Sequence, residues 1–287
     1  MAKITSLPTF AGALLACGLS TAPAAALANR TFVSGKGTDG GACGFAAPCR
    51  SFAFALTQTN AGGEIDVLDP AGYGAVTITK AISIVNDGVG LAAIAAPSGN
   101  AVTINAGASD SVHLRGLTIE GLGSGANGIQ FNTGGNLAIE NCVIRDFPGA
   151  GIRIAPTGSA AVTGMLSNVI TDNNVAGIEV LGSASTGASL NVTIVDSVAS
   201  NNGTGIVAFS LPGSAAPAVM VRNSVASYND FGLLAQNAIL RVAHSVVTGN
   251  GFGVQTANSG TMFTYGDNDI DGNTNNNTGA LTPLAMH

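Results

Sequence analysis

The stretch NDFGLLA at residues 229–235 decides the fold, because the chain repeats its pattern. The same order of Asn, two variable residues, Gly and an aliphatic run returns as NGTGIVA at 202–208 and as NGFGVQT at 250–256. The intervals between successive Gly–aliphatic pairs are 23, 26, 28, 27 and 21 residues. The glycines concerned are Gly128, Gly151, Gly177, Gly205, Gly232 and Gly253. A unit of this length cannot bury its apolar face alone, so the repeat predicts a stacked array.

A second short strand precedes the glycine in most of these units. It is visible as LAIENCVI at 137–144, VTIVDSVA at 192–199, VMVRNSVA at 219–226 and LRVAHSVV at 240–247. The chain has 9% charged residues and 40 Gly, which argues against helical solenoids, and it lacks the leucine-rich repeat pattern. The sequence therefore predicts an all-β solenoid, a parallel β-helix whose equivalent strands lie about 4.8 Å apart.

The glycine and the asparagine of the repeat predict two structural devices. The glycine permits either a bend at positive φ or a close approach of two backbones. The asparagine three residues earlier can bond turn backbone groups and stack on its equivalents in neighbouring coils. We expect an internal asparagine ladder with a structural role, built from Asn174, Asn202, Asn229 and Asn250.

The N-terminal segment predicts export. Residues 1–28 carry one Lys, an apolar run and a small-residue end, which is typical of a secretory signal peptide. An alternative within the same segment is a lipobox ending at Cys17, which would anchor the protein to a membrane by a lipid. We expect a periplasmic, secreted or outer-surface protein, and no later apolar run is long enough to span a membrane.

The remaining organisation follows from composition. Residues 29–63 predict an N-terminal cap with a disulfide loop and a short helix starting near Ser51 that places Phe52 and Leu56 on one face. Residues 64–273 would form the solenoid, and 274–287 a polar tail that frays or drapes over the last coil. Cys43 and Cys49 are expected to form the disulfide, with two reduced packing residues as the alternative.

Charge and aromatic content narrow the class of partner. The 16 acidic residues outnumber the 10 Lys and Arg, which disfavours a nucleic-acid partner.

Cys142 has no His near it in sequence and is expected to fill an interior position rather than act as a nucleophile. The Phe residues beside the repeat glycines, Phe231 and Phe252, are expected to stack inside the solenoid. The sequence does not determine the oligomeric state.

Stacking equivalent positions of the coils predicts rows of side chains along the axis. One row would hold Arg115, Glu140, Leu166, Val195 and Arg222. Opposite charges on adjacent rungs would pair Arg115 with Glu140, Glu120 with Arg145, and Arg153 with Glu179. One interpretation is that these pairs keep the rungs in register. The other is a single patch of Arg145, Arg153 and Glu179 with stacked Asp146 and Asp172, able to hold a sugar acid or a calcium ion.

The coil period, the Asn turn and the strand LAIENCVI together resemble the right-handed parallel β-helix proteins of the pectin-lyase-like superfamily, over roughly residues 64–273. The resemblance to pectate lyases implies calcium bound by Asp146 and Asp172 and an arginine base, Arg145 or Arg153. The Gly-His-Gly and Arg-Ile-Lys motifs of polygalacturonase-type hydrolases are absent from the sequence.

Three hypotheses for function follow. The first is an exported, non-catalytic protein that binds a glycan or another surface protein along its elongated face. The second is a polysaccharide lyase or hydrolase acting on uronic-acid polymers, with calcium as its one cofactor. The third is a purely architectural solenoid. Whether the two arginines and the two aspartates converge in one groove is the feature that separates the first two.

Overall fold

The computed structural model describes residues 2, 27–186, 189–279 and 281–285, and these form a parallel β-solenoid with three sheets along its length and one short helix. Cys17, His287 and nearly all of the expected signal peptide lie outside the described residues. No helix in the described part of the chain is long and apolar enough to cross a membrane.

The strands fall into the three sheets in regular rotation, and every ladder between strands is parallel. Sheet A has eleven strands: β1 (Ala28–Val33), β2 (Thr59–Val67), β5 (Ile82–Val85), β8 (Ser111–Arg115), β11 (Asn136–Glu140), β14 (Val162–Ser167), β17 (Leu190–Val195), β20 (Pro217–Arg222), β23 (Ile239–Ala243), β26 (Thr261–Thr264) and β29 (Leu281–Pro283). Sheet B has nine strands: β4 (Val76–Ile78), β7 (Val102–Asn105), β10 (Ile129–Thr133), β13 (Ala150–Ile154), β16 (Ala176–Leu181), β19 (Thr204–Phe209), β22 (Phe231–Gln236), β25 (Phe252–Ala257) and β28 (Asn275–Asn277). Sheet C has nine strands: β3 (Ala71–Gly72), β6 (Ala92–Ala95), β9 (Leu117–Glu120), β12 (Val143–Arg145), β15 (Ile170–Asp172), β18 (Val198–Ser200), β21 (Val225–Ser227), β24 (Val246–Thr248) and β27 (Asp269–Ile270).

The core is a set of aliphatic rows that run along the solenoid axis. In sheet B one such row descends through equivalent positions of eight strands, and every member is at most 3% exposed. It consists of Val76, Val102, Ile129, Ile152, Ile178, Ile206, Leu233 and Val254. Because side chains alternate along a strand, the residues between these positions face outward and form the rows available for binding.

The four expected ladder asparagines are buried and joined by hydrogen bonds from coil to coil. In each step the side-chain Oδ1 of one Asn accepts from both the backbone N–H and the side-chain Nδ2 of the Asn in the preceding coil. For Asn202 and Asn229 these distances are 2.9 and 3.2 Å. The ladder continues at its far end to Asn273, which donates in the same way to Asn276.

The repeat glycines serve close approach rather than a bend at positive φ. A Cβ on Gly232 would lie 2.5 Å from the carbonyl oxygen of Gly253, and one on Gly205 would lie 2.6 Å from that of Gly232. The positive φ values occur at the residue before each ladder Asn, for example 54° at Asn201 and 56° at Tyr228. Two different residues of the turn therefore have these two roles. The residue just before the ladder Asn adopts the positive φ, and the glycine lacks the Cβ that would clash with the backbone of the neighbouring coil.

A second ladder, made of buried serines, lies at the turn from sheet A to sheet C. Ser197, Ser224 and Ser245 are buried there, and each Oγ donates to the carbonyl two residues earlier. Cys142 takes the equivalent position in an earlier coil, with Sγ 3.2 Å from the carbonyl oxygen of Glu140. Burial raises the pKa of the Cys142 thiol to about 11. Cys142 thus occupies an interior position, as expected.

The first end of the solenoid is covered by the segment before β2. The Cys43–Cys49 disulfide is formed, and both cysteines are fully buried. Helix α1 (Phe52–Gln58) follows; Ser51 caps it by accepting from the Phe54 N–H at 3.2 Å. Phe52 and Leu56 face the core, as the sequence predicts.

The parallel strands extend past residues 64–273 at both ends. The ladder starts at Ala28, the last residue of the expected signal segment, which pairs with Thr59 in β2. At the other end β28 and β29 add a last partial coil to sheets B and A. The two strands of the polar tail, β28 and β29, therefore pair in register with strands of the preceding coil.

Two expectations about packing need correction. Phe231 and Phe252 do stack, with ring centroids 5.0 Å apart, but both rings are partly exposed rather than inside the solenoid. Leu166 does not share a row with Glu140; Ser167 does, and Leu166 is fully buried next to Ile139. Successive residues of a strand point to opposite faces, so an alignment that is wrong by one residue exchanges buried and outward positions. The expected outward position of Leu166 is wrong for this reason.

Candidate functional site

The outward row at the turn from sheet C to sheet B is built by the positive-φ residues. Asp146, Asn173, Asn201 and Tyr228 have φ values of 63°, 53°, 54° and 56°. Asn and Asp tolerate this backbone conformation better than other residues with a Cβ, which accounts for three of the four. Each of these residues lies immediately after an outward-facing strand end, so its side chain is presented on the surface.

A groove with a volume of about 800 Å³ runs along this turn, and we call it the turn groove. Its lining comes from equivalent turns of neighbouring coils. The residues are Leu122, Gly123, Asp146, Phe147, Pro148, Asn173, Asn174, Val175, Asn201, Gly203 and Asp230. Leu122 and Val175 are exposed by 56% and 61%, so the groove has apolar surface as well as carboxylate and amide groups.

Hydrogen bonds between coils orient the polar side chains of the turn groove. Asn173 Nδ2 donates to Asp146 Oδ1 at 2.6 Å, and Asn201 Nδ2 donates to Asp172 Oδ1 at 2.8 Å. Each of these contacts engages one carboxylate oxygen and one amide nitrogen. Within the described residues, the second carboxylate oxygen and the amide oxygen accept no hydrogen bond, so they can accept from hydroxyl groups of a ligand.

Arg145 lies on the sheet C side of the groove among carboxylates. It pairs with Glu120 of the preceding coil, as the sequence predicts, and its Nε is 3.9 Å from Asp146 Oδ2. The hydrogen bond and charge of Glu120 raise the pKa of Arg145, and the charges of Asp146 and Asp172 add to this effect. These contacts oppose deprotonation, which a catalytic arginine base would require.

Arg153 and Glu179 form a separate pair on sheet B, at 2.9 Å. The two residues are adjacent in the outward row, in the expected register. Burial raises the pKa of Glu179, and the charge of Arg153 partly offsets this. Within the described residues no ion pair or hydrogen bond joins this pair to Arg145, Asp146 or Asp172. Arg153 and Glu179 thus lie on sheet B and Arg145 and Asp172 on sheet C, with no direct contact between the two sets among the described residues.

Two other expected pairings are wrong. Asp172 does not stack on Asp146; its row is that of Arg145 and Ser200, whereas Asp146 is followed by Asn173. The turn from Asp146 to Ala150 is one residue longer than the equivalent turn from Asn173 to Ala176, so counting back from the repeat glycines pairs Asp146 with Asp172 instead of Asn173. Arg115 is level with Glu140, as expected, but its side chain pairs with Asp87 instead. The Nε2 atom of His113 lies 3.4 Å from Glu140 Oε2.

The carboxylates around the turn groove are paired with amide and guanidinium groups. In the part of the chain that the structure describes, no group of three or more His, Cys, Asp or Glu side chains could hold a metal ion. Asp146 and Asp172 each have a neighbouring amide nitrogen as a partner, and Arg145 supplies a positive charge beside Asp146. An arrangement that already includes a guanidinium suits hydroxyl groups better than a calcium ion.

Tyr228 is the residue that sequence reasoning missed. It continues the row of Asp146, Asn173 and Asn201, and it is 68% exposed. A Cβ on Gly249 would lie 2.9 Å from two ring carbons of Tyr228, so the ring rests against that glycine. The sequence does carry one sign of this ring. The equivalent position of the next coil is Gly249, which adopts a positive φ and, because it has no Cβ, leaves room for an aromatic ring over its backbone.

Comparisons with known proteins give one family match and two likenesses to solved structures. The chain is similar to pectate lyase Pel9A, whose crystal structure superposes with a TM-score of 0.60 at 19% identity, covering 82% of this chain and 67% of that one. A rhamnogalacturonan lyase superposes with a TM-score of 0.44 at 13% identity, covering 89% of each chain. No curated protein matches the sequence. The family model for the right-handed β-helix region matches residues 73–190 and 127–281, so the chain belongs to the right-handed β-helix family.

Proposed function

We propose that the protein is an exported, non-catalytic binding protein that holds a neutral polysaccharide along the turn groove. The observation that carries this proposal is the run of outward polar side chains in register over successive coils, Asp146, Asn173 and Asn201, with the ring of Tyr228 next in line. Equivalent rungs lie about 4.8 Å apart, so the row matches an extended ligand that runs along the solenoid axis.

The chemistry of the groove suits sugar hydroxyl groups. Carboxylate and amide oxygens accept from hydroxyls, while the exposed Leu122 and Val175 offer apolar contact to C–H faces. The Tyr228 ring, with one side against Gly249 and 68% of the residue exposed, provides a flat surface for stacking. Rigid side chains held by neighbours lose little conformational entropy on binding.

Charge favours a neutral glycan over a polyuronate. The groove and its flank hold four carboxylates, those of Glu120, Asp146, Asp172 and Asp230, against the single guanidinium of Arg145. A polyanion would meet net negative charge and would need a bridging cation. For this reason the lyase alternative, which the fold likeness to pectate lyase Pel9A suggests, is the second candidate.

The disulfide supports the proposed location. Cys43 and Cys49 are bonded in the cap, and such bonds persist in oxidising compartments outside the cytosol. With the signal segment expected at residues 1–28, this supports an exported protein that meets polysaccharide at or beyond the cell surface.

The test is affinity electrophoresis of the mature protein through gels containing soluble neutral polysaccharides, followed by calorimetry on any that retard it. Asp146→Ala and Tyr228→Ala should each weaken binding by about tenfold, since each removes one well-oriented contact. The matched control is Asn136→Ala, which removes an exposed amide on sheet A, away from the groove.

Catalysis is tested on the same preparation with polygalacturonate and calcium, by ultraviolet absorbance of unsaturated products. We expect no product. Turnover that Arg145→Ala or Arg153→Ala abolishes would replace the binding proposal with the lyase alternative. Retardation by no neutral glycan, together with no turnover, would reject both.

A further inference from the structure

The first strand of sheet B leaves an open edge that faces a groove. β4 lies at the end of the sheet order, and among the described residues it pairs with β7 alone. The Val76 N–H donates to the Ala101 carbonyl at 3.0 Å, and the register pairs Val76 with Val102. In a parallel ladder alternate residues bond to opposite sides, so the N–H and C=O of Thr77 point away from β7.

The groove along this edge has a second wall made by the capping helix. Its volume is about 390 Å³. One wall consists of Ala53, Leu56 and Thr57 of α1, and the other of Ala75, Val76 and Thr77 of β4 and its approach. The groove therefore places an unpaired strand edge beside apolar side chains, which is the arrangement that accepts an added extended strand.

Lys80 supplies the charge at one end of the groove. It follows β4 in the chain and lines the same groove, and its Nζ donates to the Thr59 carbonyl. In the part of the chain that the structure describes, no carboxylate lies within 4.0 Å of its ammonium group. Partial burial without a counterion lowers the pKa of Lys80. An anionic group of a ligand would restore the missing partner.

We propose that this groove is a peptide-binding site that takes an extended segment of another protein, parallel to β4, with a carboxylate at Lys80. Parallel addition continues the pairing of every other strand in the solenoid and directs the carboxyl end of the peptide toward Lys80, which lies beyond the carboxyl end of β4. The site is independent of the turn groove, which lies at a different turn of later coils.

The probes are three fluorescein-labelled hexapeptides of alternating Thr and Val. One has a free carboxyl terminus, one is amidated, and one is amidated with Asp as its last residue. Fluorescence anisotropy should show the first and third binding about tenfold more tightly than the second, the usual effect of one charge-assisted contact. A preference for the first alone assigns the site to protein C-termini, a preference for the third alone assigns it to acidic side chains, and equal affinity for the first and third shows that either carboxylate is accepted.

Two variants separate the contribution of the strand edge to peptide binding from the contribution of the Lys80 charge. Lys80→Gln should abolish the preference for the carboxylate while amidated peptide still binds. Thr77→Pro removes the N–H that points to the open edge without removing a ladder bond, and should weaken all three peptides by at least about tenfold. Thr193→Ala is the control, since it removes an outward-facing hydroxyl from sheet A, outside this groove.

Hydrogen exchange on the wild-type protein keeps the test valid if Thr77→Pro fails to fold. The Thr77 amide should exchange more slowly when peptide is added, while the Val76 amide, already bonded, should not change. Unchanged exchange at Thr77, or equal affinity for all three peptides, would overturn the proposal. So would a concentration-dependent dimer lost in Thr77→Pro, because the edge would then belong to a second copy.

Discussion

Removing one asparagine from the middle of the ladder should destabilise the solenoid strongly. In Asn229→Ala the lost side chain takes part in four hydrogen bonds. It accepts from the N–H and Nδ2 of Asn202, at 2.9 and 3.2 Å, and donates to Ala199 O and Asn250 Oδ1, each at 3.0 Å. The residue is 4% exposed, so water does not replace these partners freely.

The magnitude follows from counting those bonds. A buried hydrogen bond contributes about 1 kcal/mol net, and a buried donor left unpaired costs about 1–3 kcal/mol. The N–H of Asn202 becomes such an orphan, whereas its Nδ2 keeps the carbonyl of Ser200 at 2.8 Å. We expect Asn229→Ala to lower the free energy of unfolding by about 3–5 kcal/mol, a large part of the stability of a typical domain.

The assay is urea unfolding followed by far-ultraviolet circular dichroism, with midpoint and slope fitted separately. The control is Asn276→Ala at the end of the same ladder. Asn276 makes comparable bonds to Asn273 but is exposed, so its loss should cost less than about 1 kcal/mol. A lower slope in Asn229→Ala would mean that the coils on one side unfold first, as stacked repeats allow.

A second variant separates acceptor from donor. Asn229→Asp keeps the oxygen that serves Asn202 but places a second oxygen 3.0 Å from Asn250 Oδ1. It should be worse than alanine above the pKa of the buried carboxyl. Equal free energies of unfolding for Asn229→Ala and Asn276→Ala would refute the reasoning, because the buried hydrogen bonds of the ladder would then contribute no more stability than the exposed ones.

Three further outcomes are expected. Gly232→Ala should cost about 1–3 kcal/mol, since its Cβ would lie 2.5 Å from the Gly253 carbonyl oxygen, whereas Gly44→Ala, with open space around it, should be neutral in the same urea titration. Cys142→Ser should leave the urea midpoint nearly unchanged, and the native thiol, its pKa raised by burial to about 11, should not react with a disulfide reagent at pH 8. Burial raises the pKa of Glu179, so the folded state holds that proton more tightly than the unfolded state; stability should fall as pH rises from about 4.5 through the raised value, and Glu179→Gln should remove this dependence in thermal unfolding. A thiol that reacts in the folded protein, or a pH profile unchanged by Glu179→Gln, would contradict the burial assigned here.

The fold could be predicted from the sequence because its signals are local and repeated. The Asn of the ladder, the Gly that admits the next coil and the alternation of each strand all recur at the coil period, so each coil checks the others. The capping helix was predictable for a similar reason: Ser51 is a recognisable cap, and Phe52 and Leu56 share a face.

The site was harder to predict, because it depends on register at the turns. The turn after Asp146 is one residue longer than the turn after Asn173, and this places Asn173 rather than Asp172 in the row of Asp146. Tyr228 has no equivalent aromatic in neighbouring coils, so the repeat could not reveal it. Arg115 was placed correctly, but its partner Asp87 lies in a turn outside the strand repeat.

The turn separates stability from binding, and this gives a last prediction. The buried Asn of each turn makes the buried hydrogen bonds between coils, while the residue before it adopts positive φ and presents its side chain to solvent. Tyr228→Asn should therefore keep or slightly raise the free energy of unfolding, because Asn adopts this conformation more readily than Tyr. The same change should weaken glycan binding, because the exposed ring is lost. Urea unfolding and affinity electrophoresis on one preparation measure both effects. A loss of stability close to that of Asn229→Ala would mean that the ring, too, holds the coils together, through its contact with Gly249.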